Sequence, residues 1–178
     1  IPVVFVDRIP RLKGVHQVQI NNFKAAYTAT EHLIEQGCQR IAHFGGARHQ
    51  VIYEDRRMGY LAALKNNGLE VDEQLIKEAE SLSAEEGFRL IASVMDSNNP
   101  PDGVFCANDS AAVSVIQYAK KNGIRVPEDL AVIGFNNDPV CEIIDPALSS
   151  IHHPAVEMGK QAVEQALALL NGESTEED

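Results

Sequence analysis

Apolar and polar positions along the chain follow a repeating order, in which a short apolar run precedes a longer amphipathic segment. The short runs are rich in β-branched and aromatic residues, as strands buried in a sheet are. They predict strands at 3–6, 17–20, 41–44, 75–79, 104–107, 130–135 and 150–152. The amphipathic segments predict helices at 23–36, 55–67, 83–96, 110–122 and 155–170. We therefore expect an α/β fold with a doubly wound, mainly parallel sheet and helices on both faces.

The segment 123–138 carries the most informative local pattern in the chain. Gly123 is placed to end a helix, and Pro127 favours extended backbone at the residue before it. The unbroken apolar run 130–135 then predicts a buried strand, and the polar residues 136–138 follow it directly. Ligands of open α/β sheets bind at the carboxyl ends of the strands. This segment therefore indicates a ligand-binding α/β protein.

Composition excludes several classes of function. The chain of 178 residues is 44% hydrophobic and 23% charged, and it lacks the run of about 18 apolar residues that a membrane-spanning helix needs. Fifteen Lys and Arg against 26 Asp and Glu give a net charge of -11, which repels the phosphate backbone of nucleic acids. We therefore expect no membrane insertion, and no binding of nucleic acid by this segment alone.

Cysteine usage and the amino terminus bear on the compartment. The three cysteines form no CxxC pair, which favours a reducing compartment and hence the cytoplasm. The apolar residues 1–6 lack the basic flank and the small-residue cleavage site of a signal peptide. Because the chain starts inside a predicted strand and without Met, we expect it to be a fragment of a longer protein.

Motifs for catalysis or cofactor binding are missing from the sequence. Gly45 and Gly46 follow a predicted strand, but neither GxGxxG nor GK[ST] is completed there. No GxSxG elbow is present, and the six histidines are not spaced as metal ligands. We therefore expect no cofactor, no metal and no catalytic residues, and an enzyme on this fold is the disfavoured alternative.

Three polar residues follow the carboxyl ends of predicted strands, namely Arg56, Asn108 and Asn136. Each has a structural interpretation: Arg56 could pair with a neighbouring carboxylate at a helix start, Asn108 or Asp109 could cap a helix, and Asn136 could belong to a turn. Each could also face a ligand. Their common edge of the sheet favours one polar crevice, whereas Arg57, about 100° further round the helix, is expected at the surface.

Motifs spread over nearly the whole chain resemble the effector-binding domain of LacI/GalR-type bacterial transcription repressors, which shares its fold with periplasmic sugar-binding proteins. These motifs are IPVVFVDR at 1–8, ATEHL at 29–33, RIA at 40–42, RRMGY at 56–60, ND at 108–109, VPEDLAVIGF at 126–135 and PAVEMG at 154–159. The resemblance implies two lobes joined by crossing strands, with a small effector between them. It implies that 22–152 form the carboxyl-side lobe, that 1–21 and 153–172 belong to the amino-side lobe, and that 173–178 are an acidic tail.

The resemblance also implies roles for individual residues. Arg56 corresponds to the arginine that grips ligand hydroxyls, carbonyls or carboxylates, and Asn108 corresponds to an amide that faces the sugar. Asn136 stands where the family usually has Asp, so its amide donates as well as accepts, and Arg56 becomes free to pair with an anionic or strongly accepting group. Leu82 stands where many relatives have an aromatic ring, which leaves an apolar wall. The further contacts implied are Gln50, Ile52, Asp7, Ile20 and His153.

These inferences favour a sensor of a small, sugar-like metabolite. Binding between the lobes would bias their orientation and thereby set the DNA affinity of a homodimeric regulator, which contacts DNA only through an amino-terminal domain that this chain lacks. A periplasmic sugar-binding protein of a transport system shares the fold and is the main alternative. Control by a partner protein is a further alternative within the family.

Overall fold

A computed structural model describes residues 1–9 and 13–172, in which the strands form two parallel sheets. A small sheet pairs β1 (Val4–Val6) with β2 (His16–Val18). A larger, five-stranded sheet has the order β4-β3-β5-β6-β7. Its strands are β3 (Ile41–Gly45), β4 (Ile76–Glu78), β5 (Gly103–Cys106), β6 (Ala131–Asn136) and β7 (Ser149–His152). The predicted acidic tail at 173–178 lies outside the described residues.

Helices cover both faces of the large sheet. They are α1 (Asn22–Glu35), α2 (Val51–Asn66), α3 (Ala84–Met95), α4 (Asp109–Lys121), the short α5 (Val140–Ile143) and α6 (Ala155–Leu170). Phe105, Ile133 and Phe135 pack with side chains of α1 and α2, whereas Phe44 and Val104 pack with side chains of α3 and α4. Successive strand residues thus supply opposite cores. The predicted doubly wound α/β fold is confirmed.

The largest departures from the predicted elements are at two helices. Helix α2 begins at Val51, four residues before the predicted start. The sequence does not indicate this start, because the first turn is apolar and Gln50 makes no capping side-chain hydrogen bond. The short helix α5 was not predicted, since its four residues are too few to show a helical period. Helix α3 opens with a capping box, in which the side chains of Ser83 and Glu86 accept hydrogen bonds from each other's backbone amides.

The small sheet and α6 lie together, with α6 in contact with both β1 and β2. The helix exposes Val156, Val163, Leu167 and Leu170. Within 1–9 and 13–172, no helix is long and apolar enough to cross a membrane.

Candidate functional site

The loops that follow β3, β5 and β6 meet beside the end of β1 and enclose a cavity of about 390 Å³, which we call the crevice. It is lined by Asp7, Arg8, Ile52, Tyr53, Arg56, Asn108, Asn136, Asn137, Asp138, Pro139, His152, His153 and Ala155. Six of the nine residues that the sequence pointed to are in this set. Arg56, Asn108 and Asn136, which are far apart in sequence, therefore share one cavity, as the parallel strand order requires.

Arg56 is held firmly at the crevice, with 4% of its surface exposed. Its Nε donates a 2.9 Å hydrogen bond to Oδ1 of Asn22, and its Nη1 donates a 2.6 Å hydrogen bond to the carbonyl oxygen of Ala107. The guanidinium carbon lies 3.5 Å from the centroid of the Phe135 ring, a cation–π contact. These contacts fix the guanidinium plane before any ligand arrives.

The charge of Arg56 has no carboxylate partner within salt-bridge distance in the described part of the chain. It is Arg57 that lies near Glu54, at 3.8 Å, and near Glu78, at 3.9 Å. Burial lowers the pKa of Arg56 from 12.5 to about 10, and the charges of Asp7 and others offset only part of this. Arg56 thus stays cationic at neutral pH, at a desolvation cost.

Asn108 is the cap of helix α4 as well as a crevice residue. Its Oδ1 accepts a 2.9 Å hydrogen bond from the amide of Ala111, and its Nδ2 donates a 2.9 Å hydrogen bond to the carbonyl oxygen of Leu82. The structural role expected for one of Asn108 and Asp109 therefore falls to Asn108. One N–H and one lone pair of this amide are left for a ligand.

A buried carboxylate organises the loop after β6. Asp109 Oδ2 accepts a 2.8 Å hydrogen bond from the amide of Asp138, and Oδ1 accepts a 2.6 Å hydrogen bond from the hydroxyl of Ser150. The Ser150 oxygen in turn accepts a 2.9 Å hydrogen bond from the amide of Asn137. Gly134 leaves room for this carboxylate, because a Cβ there would lie 2.2 Å from Oδ1. No sequence pattern indicated this role for Asp109.

Positive φ values occur around the crevice. Three crevice residues have such values, 65° at Asp7, 121° at Asn136 and 60° at Asn137, and the other described non-glycine residue with a positive φ is Leu82, at 47°. Such conformations cost free energy and are found preferentially at binding and catalytic sites. Asn136, the most extreme of them, is held there by the loop contacts of its neighbours and by its own carbonyl, which accepts a hydrogen bond from the amide of His153.

The remaining predicted residues lie in different surroundings. His153 Nε2 is 3.4 Å from Oδ1 of Asp7, which joins the two across the crevice. Gln50 lines a neighbouring cavity of about 490 Å³, which adjoins the crevice, since Arg8 and Ile52 line both. Ile20 lines a separate cavity beside α6.

Two expectations need correction. Leu82 does not form a wall of the crevice, because its side chain is fully buried in the core against α3 and α4, and its φ of 47° turns the chain there. Arg57 is not a surface residue, since only 16% of its side chain is exposed and its Nε is buried.

Sequence reasoning also missed Asn22, which positions Arg56. Asn22 is 3% exposed and lies 34 residues before Arg56, at the start of α1. Its neighbour Asn21 is exposed and caps α1 by accepting a hydrogen bond from the amide of Lys24. The sequence does show two consecutive asparagines just before the predicted helix at 23–36, of which one suffices as the cap.

The chemistry of the site is that of binding. In 1–9 and 13–172, no three His, Cys, Asp or Glu side chains converge as metal ligands. The three cysteines are buried and unpaired, and burial raises the pKa of Cys38 and of Cys141 to about 11, so these thiols stay protonated at neutral pH. The crevice offers a fixed cation and side-chain amides, together with the carboxylates of Asp7 and Asp138 and the imidazoles of His152 and His153.

Comparisons with known proteins agree with this geometry. Residues 30–178 match the family described as periplasmic binding protein-like domain. The chain is 32% identical to the NTD biosynthesis operon regulator NtdR of Bacillus subtilis, over 98% of this chain and 53% of the relative. It is 33% identical to the HTH-type transcriptional repressor CytR of Escherichia coli, over 97% of this chain and 50% of the relative. It thus spans about half the length of these curated relatives.

Solved structures give the same result. A regulatory protein of the LacI family from Chloroflexus aggregans has a TM-score of 0.93 and 28% identity, covering 98% of this chain and 63% of that chain. The transcriptional regulator CelR in complex with cellobiose has a TM-score of 0.87 and 30% identity, covering 98% and 54%. The fold and the crevice therefore define a periplasmic binding protein-like domain. The chain belongs to this family, and its relatives and structural neighbours include LacI-family regulators, in agreement with the resemblance of its sequence motifs.

Proposed function

We propose that this chain senses a small, sugar-like effector in the crevice, and that effector binding controls the DNA affinity of the complete regulator. The observation that carries this proposal is Arg56, which is buried, fixed by Asn22 and Ala107, and left without a carboxylate partner among the described residues. A preorganised donor group of this kind costs stability and favours ligand binding, because little ordering is left to be done when the ligand arrives. The relative CelR, whose solved structure contains cellobiose, supports a sugar-like effector.

The domain division of the proposal follows the two sheets. The large sheet and its helices at 22–152 form the carboxyl-side lobe, while 1–21 and α6 belong to the amino-side lobe, with the effector between them. The contact of α6 with β1 and β2 supports this division. DNA would be contacted only by an amino-terminal domain outside this chain, in a cytoplasmic homodimer. The effector acts by preferring one arrangement of the lobes, since a ligand with equal affinity for both shifts nothing.

A thermal-shift screen of the full-length protein against sugars, sugar derivatives and nucleosides tests this function. A ligand at one hundred times its Kd stabilises the folded state by about 2.7 kcal/mol and so raises Tm. We expect a selective hit, and we expect that hit to change affinity for promoter DNA. Arg56→Gln should abolish the Tm rise, whereas Arg125→Gln, at an exposed pair with Asp129, should not. A hit that survives Arg56→Gln unchanged would contradict the assigned site.

The family description also fits a periplasmic sugar-binding protein of a transport system. The two functions share the crevice and differ in the rest of the protein. Effector-dependent DNA binding by the full-length protein would decide for the regulator. Ligand binding without any DNA binding, together with an amino-terminal export signal, would decide for transport.

A further inference from the structure

Arg56 holds one hydrogen-bond donor that the protein itself leaves unused. Its Nε and Nη1 are bonded to Asn22 and Ala107, and Nη2 has no acceptor among residues 1–9 and 13–172. Nη2 is also absent from the set of fully buried polar atoms without a partner. Nη2 is thus neither hydrogen-bonded within these residues nor fully buried. Because Arg56 lines the crevice, we take Nη2 to be the nitrogen that is open to the cavity.

The positive charge of Arg56, like its third nitrogen, has no partner among the described residues. Both of its hydrogen-bond acceptors are neutral oxygens, and the Phe135 ring at 3.5 Å is a neutral neighbour as well. A buried cation without a counter-ion is costly, and an anion brought next to it recovers part of that cost. Burial lowers the pKa of this guanidinium to about 10, although the charges of Tyr53, Asp7 and Asp109 act in the opposite direction.

Of the carboxylates at or beneath the crevice, Asp109 and Asp7 have partners of their own, whereas Asp138 lines the cavity at an exposed position. Asp109 accepts hydrogen bonds from the Ser150 hydroxyl and the Asp138 amide, and it is fully buried beneath the loop. Asp7 lies 3.4 Å from Nε2 of His153. No carboxylate of these residues lies within 4.0 Å of the Arg56 guanidinium. A ligand anion would therefore not have to displace a carboxylate from the guanidinium.

Two neighbouring groups on the crevice wall are donors, the side-chain amide of Asn136 and the guanidinium of Arg8. The side-chain amide of Asn136 makes no hydrogen bond within the described part of the chain, so its N–H groups are available to a ligand. Arg8 lines the same cavity and is exposed. A carboxylate or phosphate is an acceptor with several lone pairs, and hydrogen bonds to a charged group are about twice as strong as neutral ones.

We propose that the effector carries an anionic group, a carboxylate or a phosphate, and that this group binds Nη2 of Arg56 and the amide of Asn136. The proposal rests on the proposed function, and it narrows the effector from sugar-like molecules to sugar acids and sugar phosphates. The sugar ring itself would occupy the remaining volume of the crevice.

Calorimetric titration of the full-length protein with matched ligands tests this proposal. The ligands are D-glucose, D-glucuronate and glucose 6-phosphate, and the corresponding galactose set, at constant ionic strength. We expect one anionic member to bind about tenfold or more tightly than the neutral sugar with the same ring. This preference should weaken as salt is raised, but less than for an exposed pair, because Arg56 is buried.

Three variants locate the preference. Arg56→Lys retains the charge but not the planar fork, and it should reduce anion affinity about tenfold or more. Asn136→Asp leaves the buried arginine intact and adds a carboxylate beside it, so it should remove most of the preference while binding of the neutral sugar is kept. Arg57→Gln is the matched control, one residue further along α2 and directed towards Glu54 and Glu78, and it should change neither affinity. Unchanged cooperative unfolding of Asn136→Asp keeps the test independent of folding.

The outcomes separate this proposal from the function on which it rests. If binding depends on Arg56 but the neutral sugar binds as tightly as the anionic one or more tightly, the proposal of an anionic group is wrong. The proposed sensor function is then unaffected. A preference for anions that Arg57→Gln reduces as much as Arg56→Lys, or that Asn136→Asp leaves intact, also overturns the proposal. Absence of binding by every sugar, sugar derivative and nucleoside overturns both.

Discussion

The two edges of the large sheet carry similar polar residues and use them differently. At the amino edge, where the strands begin, Arg40 forms an ion pair with Asp72 and donates a 2.7 Å hydrogen bond to the carbonyl oxygen of Asn99. The carboxylate of Asp102 accepts hydrogen bonds of 2.9 to 3.1 Å from the amides of Gln39 and Arg40. Every charge named here has a partner within the chain.

At the carboxyl edge, residues of the same types lack some of these partners. Arg56 is more buried than Arg40 but has no carboxylate partner in the described residues, and Asn136 holds a φ of 121° with its amide unbonded there. Both edges have a cavity of nearly equal size, about 370 Å³ and about 390 Å³. Volume therefore does not distinguish the binding site, whereas unsatisfied polar groups and backbone strain do.

The largest effect should come from filling the space under the crevice loop. In Gly134→Ala the new Cβ would lie 2.2 Å from Oδ1 of Asp109, and moving that carboxylate breaks its bonds to Ser150 and Asp138. We expect the free energy of unfolding, measured in urea, to fall by about 3 to 4 kcal/mol.

The matched control for this substitution lies on α6. A Cβ added at Gly159 would meet no heavy atom of the described residues within 4 Å, and alanine is the better helix former. Gly159→Ala should therefore raise the free energy of unfolding by up to about 1 kcal/mol. A loss below about 1 kcal/mol for Gly134→Ala would show that the loop adapts easily, and would remove the rigidity that we assign to the carboxyl edge.

The interior between the two edges should supply the main sensitivity to acid. His43 is fully buried on β3, stacked between Tyr60 and Phe105, and burial lowers its pKa from 6.5 to about 3, with the charges of Arg57 and Arg56 acting in the same direction. Between these values the unfolded chain binds a proton that the folded protein does not bind, so stability falls as pH falls. We expect a loss of about 3 kcal/mol from pH 6.5 to pH 4.

Urea unfolding at several pH values measures this loss. His43→Phe keeps an aromatic ring between Tyr60 and Phe105 and should flatten the dependence in that window, whereas His32→Gln, at an exposed position, should leave it unchanged. If stability falls as steeply with pH in His43→Phe, the acid sensitivity arises from groups at the edges of the sheet and not from His43.

The sequence predicts the framework better than the site because the two rest on different kinds of pattern. Strand and helix periods are local, so the five strands of the large sheet and the common edge of Arg56, Asn108 and Asn136 follow from short windows. Asn22 and Asp109 act through hydrogen bonds to residues 34 and 41 positions away, to Arg56 and Ser150. No local pattern contains such a pairing.

Leu82 illustrates a second limit. Its position after β4 and before α3 is correct in the sequence prediction, but its side-chain direction depends on a φ of 47°, which no β-preferring or apolar pattern indicates. The resemblance to the family placed the residue, and the backbone conformation decided that it packs in the core.

At the amino edge we expect a purely structural effect. Asp102→Ala removes the hydrogen bonds to the amides of Gln39 and Arg40 and should lower the free energy of unfolding by about 2 kcal/mol. Effector affinity should stay within about twofold, since this edge lies at the opposite end of the strands. A large loss of effector affinity in a folded Asp102→Ala protein would contradict our assignment of a purely structural role to the amino edge.

The smallest effect on the crevice should be a gain in stability, and it should come from relieving backbone strain there. Asn136→Gly removes the Cβ at φ 121° and should raise the free energy of unfolding by about 1 kcal/mol, while effector binding weakens because the amide is lost. Asn122→Gly, at the end of α4 with an ordinary φ of -102°, should give no such gain. Unfolding and effector titration on both variants measure the two quantities together. Destabilisation by Asn136→Gly equal to that by Asn122→Gly would mean that the conformation at 136 stores no strain, and the contrast between a satisfied edge and an open one would then rest on Arg56 alone.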